Sequence, residues 1–289
     1  MARTAVTRPN AKAAAKKAAS KAAAPKQSPK GKTAAKTAAK PTGAAVRRAA
    51  GQTDATVRAL AERLADALKQ LQSASSVSHR DGLKRYAIPT DRAFGVPMAS
   101  IQAIAKRLRR DRELAAALWD SGWYEARLLA SYIDDPALVT AAQMDRWCRD
   151  FDNWAVCDTI CFVLFDRSPL AWRKIEQWAP RRDEYVRRAA FAMLASKTVH
   201  DKTADDAMFL HGLELIEAQA GDERNFVKKS INWALRSIGK RNAALHRAAV
   251  AVATRLAASE QAAPRWVGKD ALRELRSAAV LARLARRAG

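Results

Sequence analysis

Histidine, cysteine and aromatic residues are scarce in this 289-residue sequence, and acidic residues are missing altogether before Asp54. The four histidines (His79, His200, His211, His246) are scattered, and Cys148, Cys157 and Cys161 sit together with no histidine beside them. A zinc site calls for Cys/His pairs at ligand spacing, so neither a metal nor another cofactor is expected. Three thiols cannot form a fully paired disulfide framework and suit a reducing compartment. No apolar run reaches the roughly 18 residues of a membrane span. The N-terminus also lacks the apolar stretch, about 7–15 residues long, of a secretory signal. The expected location is the cytoplasm, in association with the bacterial nucleoid. No segment shows clean strand alternation bounded by turn residues, which excludes a sheet protein.

Positive charge is abundant. The formal charge is +23 and the pI about 10.6, values that call for a polyanionic partner. Residues 1–51 hold thirteen Lys/Arg, and nineteen of the first fifty residues are Ala. Pro9, Pro25, Pro29 and Pro41 interrupt that stretch, and Val6 and Val46 are its only large apolar side chains apart from Met1. Such a segment cannot offset its ordering entropy, so residues 1–52 are expected to be a disordered basic tail. Its Lys-Ala-Pro pattern resembles the tails of linker histones and bacterial histone-like proteins. An organellar transit peptide would also be basic and acid-poor, but Lys dominance and the missing amphipathic face speak against it. The remaining 39 basic and 29 acidic residues make the body, residues 53–289, basic in its own right.

The body reads as helical almost throughout. Val57, Leu60, Leu64 and Leu68 keep helical spacing in an opening helix. Pro97, Asp134-Asp135-Pro136, Ser168-Pro169, Pro180 and Pro264 punctuate the rest of the body. A register repeats: Tyr124-Glu-Ala-Arg127, Trp154-Ala-Val-Cys157, Tyr185-Val-Arg-Arg188, Phe226-Val-Lys-Lys229 and Trp266-Val-Gly-Lys269, spaced by 30, 31, 41 and 40 residues. Four of these five helix starts place a cation three residues after an aromatic ring. Spacings of this size belong to stacked helix pairs of the HEAT type, which put equivalent positions in a row. Arg127, Arg188, Lys229 and Lys269 are then expected to line one groove, although charges on exposed helix faces are also the ordinary case.

Two helices carry the candidate chemistry. After Phe226, the apolar stripe Val227, Ile231, Ala234, Leu235 and Ile238 is expected to face the core, with Lys229, Trp233, Arg236 and Lys240 on another face. Rings interleaved with cations suit a nucleic-acid surface, whereas Trp233 packed on a neighbouring repeat is the structural alternative. In the helix starting at Asn153, Trp154 and Asp158 are four apart and share a face. A carboxylate in a groove meant for DNA repels phosphate unless it faces something cationic. An oxocarbenium-like sugar during glycosidic cleavage is one candidate, and an arginine such as Arg188 is the other.

At these residues the sequence resembles the AlkD-type alkylpurine DNA glycosylases, a family of HEAT-like repeats, over roughly residues 55–280. The resemblance lies in Phe94-Gly-Val-Pro97, Leu118-Trp-Asp-Ser-Gly122, Glu125-Ala-Arg-Leu-Leu129, Trp154-Ala-Val-Cys-Asp158, Arg187-Arg-Ala-Ala190 and Phe226 through Arg236. It implies an α-solenoid that releases cationic N3- and N7-alkylated purines from double-stranded DNA without a base-flipping pocket; the chain is expected to act as a monomer. It further implies that Asp158 stabilises positive charge on the deoxyribose, that Trp154 and Trp233 pack on sugar and backbone, and that Arg188, with Arg187 one register away, holds a phosphate. Family members often carry an acid directly after the first tryptophan, where this chain has Ala155. The alternatives to an enzyme are a non-catalytic DNA-binding or chromatin-architecture protein and a protein-binding scaffold.

Overall fold

The computed structural model describes residues 43–288, with side chains from 54 to 286. The chain divides into two units, Met1–Arg48 and Ala49–Gly289, and the helix stack belongs to the second. The basic tail expected over residues 1–52 lies outside the described residues through position 42; the expected boundary falls inside the first helix.

Among the described residues there are fourteen helices and no strand: α1 (Gly43–Ser73), α2 (Val77–Leu83), α3 (Met98–Leu108), α4 (Arg112–Asp120), α5 (Tyr124–Ile133), α6 (Ala141–Arg149), α7 (Trp154–Val163), α8 (Ala171–Trp178), α9 (Glu184–His200), α10 (Asp206–Gln219), α11 (Asn225–Ile238), α12 (Ala243–Ala257), α13 (Ala262–Leu275) and α14 (Ala278–Ala288). Side-chain caps begin several of them, as when Asn153 accepts from the Val156 amide at 2.9 Å to start α7. In α1 burial begins at Leu60, whereas Val57 is exposed.

The helices form two layers. α3, α5, α7, α9, α11 and α13 pack one on the next, and α4, α8, α10 and α12 each cover the inner helix that comes next in the chain. This is the alternation of a helical-repeat stack, in which each unit buries its apolar face against its neighbours. The five helices of the aromatic–basic register, α5, α7, α9, α11 and α13, are the consecutive inner ones. Tyr124 and Trp154 open their helices, and Tyr185 and Phe226 are second residues. Trp266 departs from this: α13 begins one turn earlier at Ala262, with Pro264 in the first turn, where its missing N–H costs no helical bond.

α9 is the centre of the stack. It touches α7, α8 and α11, and every residue from Arg188 to Thr198 is buried. A helix covered on all sides has no polar face, so Arg187-Arg-Ala-Ala-Phe-Ala-Met-Leu-Ala reads as a small-residue run with no stripe. Ala189, Ala190 and Ala192 let neighbouring backbones approach, and the Cys161 thiol reaches the Ala189 carbonyl at 3.6 Å. Burial pushes the Cys148 and Cys161 thiols up, so these cysteines are packed side chains of low reactivity. Trp119 and Trp147, stacked with centroids 4.1 Å apart, fill the core between α4 and α6.

Candidate nucleic-acid interface

At the start of α7, Trp154 forms one wall of a cleft of about 410 Å³ also lined by Arg85, Tyr86, Ala87, Arg188, Phe226 and Lys229. The indole is fixed by its Nε1–H, which donates to the Tyr86 carbonyl at 2.8 Å. That carbonyl ends a short 3₁₀ turn, Lys84–Tyr86, and the next residue, Ala87, sits in the left-handed region at φ 55°. A non-glycine residue held there stores backbone strain that the surroundings must maintain. They do so through a small apolar cluster of Leu83, Ile88 and Ala93, against which Tyr124, Trp154 and Ala155 pack. Ala155 therefore has a physical account: a carboxylate at this position would sit against that cluster.

Asp158 stands one turn along α7 from Trp154 and is joined to the cleft wall by Arg188 of α9. The guanidinium donates through Nε to Oδ1 at 2.8 Å and through Nη2 to Oδ2 at 2.6 Å. Its Nη1 donates to the Phe226 carbonyl of α11. The Arg188 Cζ lies 6.0 Å from the ring centroids of both Trp154 and Phe226. One arginine thus ties three successive inner helices together. Burial pushes the Asp158 carboxyl above the usual carboxylate range, against the pull of Arg188. Burial also opposes the charge on Arg188, but Asp158 outweighs it and holds the guanidinium pKa above its ordinary value. The bidentate geometry is that of an ionised pair.

The other expected contact residues separate into two groups. Arg127 packs its guanidinium 5.1 Å from the Trp119 ring and donates to the Asp150 carbonyl at 3.1 Å. Arg187 is turned away from Asp158 and pairs with Asp222 at 2.7 Å. Arg236 and Lys240 both reach Glu274, Lys240 at 2.5 Å. Lys229 and Lys269 are exposed. Trp233 is half-buried and packs on the main core, the structural alternative for this ring, and does not line the cleft. The expected row of Arg127, Arg188, Lys229 and Lys269 falls on inner helices α5, α9, α11 and α13, interrupted at α7 by Cys157, and two of its members are already engaged within the protein.

Two features carry no signal in the sequence pattern: the Arg85–Ala87 wall and the role of Glu125. Glu125 is fully buried in α5, and its carboxylate accepts from the amides of Phe94, Gly95 and Val96 at 2.9, 2.7 and 3.1 Å. Gly95 has φ 80°, and a Cβ there would lie 2.3 Å from the Ser76 carbonyl oxygen. The Phe94-Gly-Val-Pro97 motif is therefore a folded loop clamped by an acid, with Phe94 stacked on Trp123 at 4.1 Å.

The stack resembles a solved structure from a group described as a new family of proteins related to the HEAT-like repeat DNA glycosylases, with affinity for branched DNA structures. The TM-score is 0.61 at 19% identity, over 71% of this chain and 92% of that one, a likeness of fold. No curated protein matches the chain. The family model of the DNA alkylation repair enzymes matches residues 67–275, a span that holds Trp154, Asp158, Arg188 and the whole cleft. The chain belongs to the family of DNA alkylation repair enzymes.

Proposed function

We propose that the protein is a DNA glycosylase that releases cationic N3- or N7-alkylated purines from double-stranded DNA, acting as a monomer at the Trp154 cleft. The observation that carries this reading is the Asp158 carboxylate, paired bidentately with Arg188, one turn from Trp154 in a buried setting, with free cations at the cleft rim. An alkylated purine already bears positive charge, so its bond to C1′ breaks with the electron pair leaving on the base, which departs neutral. Water then bonds to C1′ and its proton passes to solvent. What the protein must supply is negative charge near the developing oxocarbenium ion, worth more in a buried site than in water. Trp154, fixed by Tyr86, gives the sugar a flat apolar surface. When a backbone phosphate draws Arg188 from one carboxylate oxygen, Asp158 is left less neutralised as the sugar becomes cationic. Lys229 and Arg85 supply phosphate contacts at the rim.

Single-turnover release of N7-methylguanine from duplex DNA tests the reading, with wild-type protein against Asp158→Asn. Loss of release in the variant with DNA binding retained supports it. A second reading has its own observation: both Asp158 oxygens are taken by Arg188, as in a structural brace. On that reading the protein binds DNA, branched DNA included, without cleaving it. Tight binding by the wild type with no release from a panel of alkylated purines would decide for this alternative.

A further inference from the structure

The row of rings continues past the cleft, where Trp154 and Phe226 are half-buried, to an exposed one. Trp266 of α13 is 39% exposed, and Lys228 of α11 lies over its face with Nζ 5.1 Å from the centroid. A shallow depression of about 320 Å³ beside the ring is lined by Arg265, Lys269, Asp270 and Arg273. Its one carboxylate, Asp270, is paired with Arg273 on the next turn. Arg265 donates to the Ser259 and Glu260 carbonyls at 3.2 and 2.9 Å, which fixes the guanidinium without neutralising it. Lys269 is exposed, and among the described residues neither it nor Lys228 forms an ion pair. An accessible indole with a cation on its face and others at its rim has the composition of a base-stacking platform.

We infer that Trp266, with Lys228 and Lys269, is a second DNA-contact site that stacks an unpaired base and holds its flanking phosphates. The inference rests on the DNA-binding part of the proposed function and not on base release. α7 and α13 are three helix-to-helix steps apart, so at about 8–10 Å per step Trp266 stands about 24–30 Å along the stack from Trp154. At about 3.4 Å per nucleotide that is about seven to nine base pairs. A blunt duplex passing the cleft offers no free base face at that distance. A duplex that ends in a single-stranded overhang, or opens at a gap or branch, does.

The experiment is equilibrium binding of the full chain to a blunt duplex and to the same duplex with a short overhang, both without alkylated bases. The outcome is thereby independent of whether the cleft releases one. The wild type is expected to prefer the overhang DNA. Trp266→Ala is expected to lose about tenfold of affinity for it, with far less loss for the blunt duplex. Trp266→Phe, which keeps a stacking face, retains most of the preference. Lys269→Gln lowers the salt slope on overhang DNA by about 0.7–0.9. A Trp266→Ala protein that keeps the full preference, or loses affinity equally for both DNAs, overturns the inference. So does a wild type with no preference, which would leave the ring to a protein partner.

Discussion

The two halves of the inner-helix edge treat their cations differently. On α5 and α9, arginines occupy the repeated register and its neighbour, and each is spent inside the protein: Arg127 on Trp119 and the Asp150 carbonyl, Arg187 on Asp222, Arg188 on Asp158 and Phe226. On α11 and α13 lysines take these places, and Lys229 and Lys269 stay exposed. A guanidinium offers a planar fork that matches a carboxylate or a pair of carbonyls, so it suits a brace between helices; an ammonium on a flexible stem suits a diffuse phosphate contact. Register places a side chain on an edge, but the acids of the adjoining helix decide whether its charge is available to DNA.

Removing a brace should therefore cost stability first. Arg188→Ala leaves the Asp158 carboxylate buried and uncompensated and strips the Phe226 carbonyl of its donor. The expected loss is about 3–5 kcal/mol, read from the urea midpoint and slope. Restoring neutrality with Asp158→Asn in the same chain should recover part of it. A loss below about 1 kcal/mol, the size of an exposed pair, would break the comparison by showing that Arg188 is as free as Lys229.

Glu125→Gln comes next in size. Oε1 accepts from two amides and Oε2 from the third, so an amide side chain that keeps its oxygen towards Gly95 and Val96 turns an N–H donor towards the Phe94 amide. The expected cost is about 1.5–3 kcal/mol, the range for hydrogen bonds to a charged group. Thermal unfolding would measure it, with Gln102→Ala on the exposed face of α3 as a control expected to change little.

Much of this is legible in the sequence, for identifiable reasons. The all-helical stack is readable from apolar spacing, and the order of its inner layer from the aromatic–basic register, because a repeat fold forces equivalent positions into line. Trp154 and Asp158 on one face require only helical geometry, and Arg188 is a partner for Asp158 that the repeat already offers. The hidden parts depend on distant partners. Glu125 reads as an ordinary charge on a helix until the loop at Gly95 folds over it. Arg236 and Lys240 read as a free stripe until Glu274, on another helix, reaches both. The Tyr86 wall belongs to a turn with no periodic signal, and its carbonyl meets Trp154 across 68 residues of sequence.

Arg187 sharpens the comparison through pH. Burial raises the Asp222 carboxyl, but Arg224 and Arg187 pull it down further, and its net position is below the ordinary carboxylate value. A folded pKa below the unfolded one gives stability that is present above the ordinary range and lost as pH falls through the depressed value. Asp145, held by Lys174 and Trp178, and Asp201, held by Lys197, act in the same direction. Acid unfolding should therefore be steep below about pH 4. Arg187→Met should move that limb to higher pH and cost about 1 kcal/mol at neutral pH. Duplex affinity that follows Arg187 more closely than Lys229 would count against its structural assignment.

The smallest change in stability, and the most direct test of the free half, is Lys229→Gln. The side chain is exposed at the cleft rim beside Phe226 and carries no ion pair among the described residues, so stability should stay within about 0.5 kcal/mol of wild type. Its charge should matter only when DNA is bound. Each phosphate neutralised contributes about 0.9 to the dependence of log affinity on log salt. The slope for duplex binding should fall by about that amount, with the affinity deficit largest in low salt and shrinking as salt rises. Arg236→Gln is the matched contrast, because that guanidinium is held in an ion pair with Glu274: its slope should change less than that of Lys229→Gln while its melting temperature drops. If the two variants exchanged behaviours, with Arg236 setting the salt slope and Lys229 the stability, the division between braced and free cations would be wrong, and the path of DNA along the stack would have to be redrawn towards the C-terminal ends of the inner helices.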